Sequence, residues 1–153
     1  MKNIELYNKA VGILVDAYFN DTLEHGNQCG CAVGNLVAGN MGVQLVRSHY
    51  GHVMSMDRNT YNGDWYDVKY IYDVKYISIN KTKAIAQIKN TGYSINEILA
   101  IERAFEGVEI CLDKDLWMFN GLMAVIDVLD KIHENTDLPT TEQTKSRFIK
   151  QTA

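Results

Sequence analysis

Ile4, Tyr7, Val11, Leu14 and Tyr18 recur at steps of three and four, with Glu5, Asn8, Lys9 and Asp16 mostly opposite. This is the signature of an amphipathic helix over about 3–19. Glu5 and Lys9 add an i, i+4 pair in the favourable order. After Asn20 and Asp21 a loop through Gly26 leads to a second, short helix over about 31–41. Its Ala32, Gly34, Ala38 and Gly39 let another backbone approach closely, although each glycine costs a helix about 1 kcal/mol relative to alanine. Further on, Ser94 and Glu97 form a capping box with Tyr93 and Ile98 as its hydrophobic staple, and Gly107 is a stop, so a helix is predicted over about 95–106. Ile85 and Ile88, one turn apart and followed by Gly92, predict a shorter one over about 82–90. The strongest stripe is Met118, Leu122, Val125, Leu129 and Ile132, widened by Phe119 and Ile126, with Asp127, Asp130, Lys131 and Glu134 on the other side. It predicts a core helix over about 116–134. Pro139 breaks the pattern, and the polar segment 139–153, with Lys145, Arg147 and Lys150, reads as a solvated tail.

Between these helices the pattern changes to period two. Residues 66–71 read YDVKYI and residues 72–77 repeat it. Because six is even, a strand would keep its facing through the duplication, with Tyr66, Val68, Tyr70, Tyr72, Val74 and Tyr76 on one side. Asn62-Gly63 is the preferred turn of a two-residue hairpin. Pairing across it would set Arg58 opposite Asp67, Met54 opposite Ile71 and His52 opposite Asp73. A single strand from Trp65 to Ile79 would reach roughly 50 Å at about 3.3 Å per residue, more than the roughly 38 Å expected across a domain of this size. The strand must therefore bend, break near Ile71-Tyr72, or project. A projecting arm would offer Tyr66, Tyr70, Tyr72 and Tyr76 as a protein contact, since aromatic side chains supply large, rigid contact area. The expected architecture is α+β: a mainly helical single domain over 1–138 with a central antiparallel hairpin or small sheet within about 43–79.

Composition narrows the class. A chain of 153 residues, 46% hydrophobic and 22% charged, suits one globular domain that buries a core without disulfides or an obligatory metal. A net charge of -4 gives no attraction to nucleic acid or anionic membranes. The amino-terminal stretch lacks the apolar run and small-residue cleavage site of a secretory signal, and no segment reaches membrane-spanning length. Three cysteines, two of them in a Cys-x-Cys pair, make no disulfide framework, so a cytoplasmic setting is expected.

One segment has chemical potential. His25, Cys29, Cys31, His49 and His52 lie within 28 residues of each other, the first three in the string HGNQCGC. Thiolate and imidazole bind zinc, and Cys29, Cys31, His25 and one of His49 or His52 could complete a tetrahedron, although the spacing lacks a Cys-x-x-Cys knuckle. Alternatively, Cys31 at a helix start could be a nucleophile, since the helix dipole and free amides favour thiolate there, with His25 as base. The stretch NQCGCAVGNL is similar to the helix-opening cysteine segment of papain-like peptidases, which would make Gln28 the oxyanion-supporting glutamine. It departs from that pattern: Gln28 lies only three residues before Cys31, no aromatic residue follows, and the histidines come too early. The third reading is packing, with Cys31 a small buried residue at a helix start, and it is preferred because free cysteine is commonly buried. Gly34 and Gly39 have P-loop spacing, but Asn40 and Met41 replace the lysine and hydroxyl residue, so no nucleotide site is expected. Asp113 and Asp115 open a segment superficially like an EF-hand. Met118 stands at its glycine position and Ala124 at its glutamate position, so they are read as helix N-terminal residues instead.

The strings HGNQCGCAVGNLVAGNMG, TGYSINEILAIERAFE and WMFNGLMAVIDVLDKIH together resemble a group of small uncharacterised proteins from Bacteroidetes and their phages, over most of the chain outside the duplication. The resemblance implies a bacterial or phage-infected cytoplasm and brings no activity with it. The expected function is non-enzymatic protein binding or assembly, through a protein partner or self-association, with no cofactor. Cysteine hydrolase and zinc domain are the alternatives.

Overall fold

A computed structural model of the chain describes residues 1–71, 75 and 81–135. Within them the elements run α1 (Ile4–Phe19), α2 (Ala32–Met41), β1 (Leu45–Arg47), β2 (Val53–Ser55), a 3-10 helix (Asp64–Tyr70), α3 (Lys81–Asn90), α4 (Ile95–Glu106) and α5 (Lys114–Ile132). The protein is a mainly helical α+β domain, as the periodicities imply. Each helix lies close to its expected place because its start signal is local. Ser94 and Glu97 close the capping box reciprocally. Asp113 caps α5 by accepting the Leu116 N–H at 3.2 Å, as expected of these aspartates. The core gathers the inward stripes of all five helices, with Leu14, Leu36, Ile98, Ile101, Leu122 and Leu129 fully enclosed. Helix α5 packs on α1 and α4, and α2 packs on α1, α3 and α4. No helix among the described residues is long and apolar enough to cross a membrane.

The middle of the chain departs from expectation. The hairpin joins β1 to β2, pairing Leu45 with Ser55, Val46 with Met54 and Arg47 with Val53. Its loop is 48–52, where Gly51 takes a left-handed φ of 86°. The expected turn at Asn62-Gly63 is not a hairpin turn: Gly63, at φ 76°, opens the 3-10 helix. The pairings of Arg58 with Asp67 and of Met54 with Ile71 are thereby replaced. The partner expected for His52, Asp73, lies outside the described residues, as do Tyr72 and Tyr76. The physical reason is burial. Trp65 is fully enclosed and donates its indole N–H to the Gln28 carbonyl at 2.7 Å. Val68, three residues on, is buried as well. That i, i+3 spacing is helical, and packing of this turn against α3 overrides the β preference of the tyrosines and valines, which reflects half-buried sheet surfaces more than the backbone itself.

Candidate functional site

The loop before α2 is rigid because its side chains bond its own backbone. Asn27 Oδ1 accepts the N–H groups of Cys29 and Gly30 at 2.8 and 2.9 Å, while its amide donates to Glu24 and to the Val53 carbonyl. Glu24 in turn accepts the Val53 N–H at 2.7 Å and meets His52 Nδ1 at 2.9 Å. Asn35, buried, donates to the carbonyls of Thr22, Gly30 and Cys31. The loop is thus clamped between β2 and α2.

Cys31 is the N-cap of α2, and its Sγ accepts the Gly34 N–H at 3.3 Å. Position 34 must be glycine, since a Cβ there would stand 2.3 Å from the Cys29 carbonyl oxygen. Burial pushes the Cys31 thiol well above its ordinary value, and the carboxylates of Glu102 and Glu106 add to that. The Gly34 and Val33 N–H groups pull the other way without prevailing. A thiol at the expected position therefore stays protonated, opposite to what a helix-start nucleophile requires.

His25, the base expected for it, makes other contacts. The imidazole lies between the Phe105 and Trp117 rings, at centroid distances of 4.2 and 4.3 Å and an interplanar angle of 14° to each. Nε2 is 3.1 Å from the Trp117 carbonyl, which can only accept, so Nε2 carries the proton. Nδ1 has no hydrogen-bond partner and lies 3.8 Å from Glu106 Oε2. No hydrogen bond links His25 to Cys31 among the described residues. Cys29 is buried, and burial raises its thiol too. His49 is exposed and edge-on to Tyr50, while His52 is taken up by Glu24. The five candidate ligands are therefore spread over separate surroundings. Among the described residues no group of three or more His, Cys, Asp or Glu is placed to hold a metal ion.

What does converge is a recess of about 310 Å³ between the loop at 26–28, the 3-10 helix and α4. Cys31 and Gln28 border it from the loop side, Tyr66 and Lys69 from the 3-10 helix, and Glu102, Arg103 and Glu106 from α4. Lys69 Nζ is 2.6 Å from the buried Glu102 carboxylate and 4.4 Å from the centre of the Tyr66 ring. Burial disfavours the ammonium, but the bond and charge of Glu102 outweigh it and raise the pKa of Lys69. Glu106 accepts the Gly26 N–H with both oxygens, at 2.9 and 3.1 Å. Tyr70 sits edge-on to Tyr66 at 6.3 Å.

Of the residues singled out from sequence, the recess thus brings together Cys31, Gln28 and Tyr66. Lys69, Glu102, Arg103 and Glu106 were not anticipated. One signal for them existed: Ile98, Ile101 and Phe105 define the buried stripe of α4, and Glu102 occupies an apolar slot in it. A charge in that slot implies a partner brought from elsewhere in the chain. No protein-family model, curated protein or solved structure matches the chain.

Proposed function

We propose that this is a non-enzymatic protein-binding or assembly protein whose contact surface is the 3-10 helix together with the adjoining 26–28 loop. The observation that carries the reading is the state of Tyr66 and Tyr70. Both rings are half-buried on a turn anchored by the fully enclosed Trp65, so they present rigid aromatic area that costs little entropy to immobilise on binding. The partner is another protein or a second copy of this chain, in a bacterial or phage-infected cytoplasm where free Cys29, Cys31 and Cys111 stay reduced. The phage or mobile-element setting rests on the sequence resemblance alone. The reading needs no cofactor.

A photo-crosslinking residue placed at Tyr66 or Tyr70 in the producing cell is expected to form discrete protein adducts, and one at Asn8, on the exposed face of α1, is not. Equal adduct patterns at all three positions, or none, would overturn the proposal. The hydrolase alternative is checked by alkylation. With iodoacetamide near neutral pH, mass mapping should find Cys111 modified and Cys31 spared until the protein is unfolded. Selective modification of native Cys31 would restore the enzyme reading. Finding about one zinc per chain in protein purified without chelator would restore the metal reading.

A further inference from the structure

We infer that the recess beside Tyr66 is a binding site for a small zwitterion of the α-amino-acid class, a ligand carrying one ammonium and one carboxylate. This goes beyond the protein-contact role, with which it shares Tyr66 and the 26–28 loop. Charges of both signs alternate on its walls. Along α4 the recess meets Glu102, Arg103 and Glu106, and Lys69 faces them from the 3-10 helix. Three of the four already have a partner within the protein: Lys69 and Glu102 pair at 2.6 Å, and Glu106 accepts the Gly26 N–H. Arg103 is exposed and has no carboxylate within ion-pair distance among the described residues, although Glu106 is only one helical turn away.

A recess with two cations and two anions discriminates against ligands of a single sign. A simple anion drawn to Arg103 would also meet the carboxylates of Glu102 and Glu106. A simple cation drawn to those carboxylates would meet Arg103 and Lys69. A ligand with both charges can set its carboxylate on Arg103 and its ammonium on Glu106, whose two oxygens share a single backbone N–H and keep lone pairs to accept more, while the Lys69 and Glu102 pair stays intact. The rest of the lining suits the remainder of such a molecule. The Tyr66 ring and the neutral Cys31 thiol offer apolar and polarisable surface for a side chain, and the Gln28 amide can donate and accept. The volume, about 310 Å³, is at the small end of ligand pockets and accommodates one amino acid rather than a nucleotide or sugar chain.

The test varies charge at constant shape. Phenylalanine and leucine, each as the free amino acid, the N-acetyl acid and the amide, are titrated into the full-length isotopically labelled protein while the backbone amides of Gly26, Gln28 and Arg103 are followed by NMR. The free amino acid form of at least one is expected to produce saturable shifts with an affinity about tenfold or more above both single-charge forms. Arg103→Gln, an exposed change that leaves the Lys69 and Glu102 pair intact, is expected to abolish that preference. Saturable binding that is equal for the three charge forms, or that Arg103→Gln leaves unchanged, overturns the inference, as does the absence of shifts up to about 10 mM ligand. Each of these results can arise while crosslinking at Tyr66 and Tyr70 still succeeds, so failure here is separable from failure of the protein-contact reading.

Discussion

Glu24 shows how a single side chain does work that its position in the sequence does not announce. It ties the loop before α2 to β2 through the Val53 N–H and to the hairpin loop through His52. Burial pushes its carboxyl upward, but the Val53 N–H, the His52 ring and the charge of Arg47 outweigh burial and hold it below its ordinary 4.5. A carboxyl whose folded value is depressed contributes stability that is complete above the ordinary value and is lost as pH falls through the lower, folded one. Urea unfolding at a series of pH values should therefore show wild type more stable than Glu24→Gln at neutral pH, with the gap closing on the acid side of 4.5. A gap that stays constant from about pH 7 to about pH 3 would contradict this linkage. Cys31 and His25 teach the complementary point. Both residue types carry chemical potential, and in this fold Cys31 is buried as the cap of α2 while His25 is stacked between Phe105 and Trp117.

At the scale of elements, the helices were legible because their determinants are short-range: apolar stripes, the Ser94 and Glu97 box, and the Asp113 cap. Glycines within helices separate local preference from tertiary demand. Gly12 in α1 has nothing within 4 Å of where a Cβ would go, so Gly12→Ala should raise stability by about 1 kcal/mol through helix propensity. Gly34 in α2 faces the Cys29 carbonyl at 2.3 Å, and Gly34→Ala should prevent the loop from seating and abolish cooperative folding. Circular dichroism during denaturant titration reads both, and a tolerated Gly34→Ala would refute the close packing described here. The strand predicted for residues 66–71 fails for the same kind of reason. Alternation of tyrosine and valine fits a strand, yet Trp65 and Val68 fit a turn of helix equally well. The choice between them is made by the Gln28 carbonyl that Trp65 reaches and by α3.

Across the whole molecule, the two tryptophans report from different elements: Trp65 from the 3-10 helix, bonded to the Gln28 carbonyl, and Trp117 from α5, stacked on His25. The inward stripes of α1, α2, α4 and α5 are continuous, so the protein should unfold as one unit. Single-tryptophan variants Trp65→Phe and Trp117→Phe should each give a fluorescence midpoint that coincides with that variant's own far-ultraviolet transition. Separated midpoints would show two independently unfolding parts. Sequence by itself determined the α+β class and the places of five helices, because stripe, cap and breaker act within a few residues of one another. Only the tertiary structure decided that the duplicated segment begins as a 3-10 helix, that His25 stacks between two rings instead of meeting Cys31, and that Lys69 pairs with Glu102 across 33 residues of chain. Those outcomes depend on which surfaces become buried together, and burial sets both the conformation of an ambiguous segment and the protonation and pairing of every polar group it encloses.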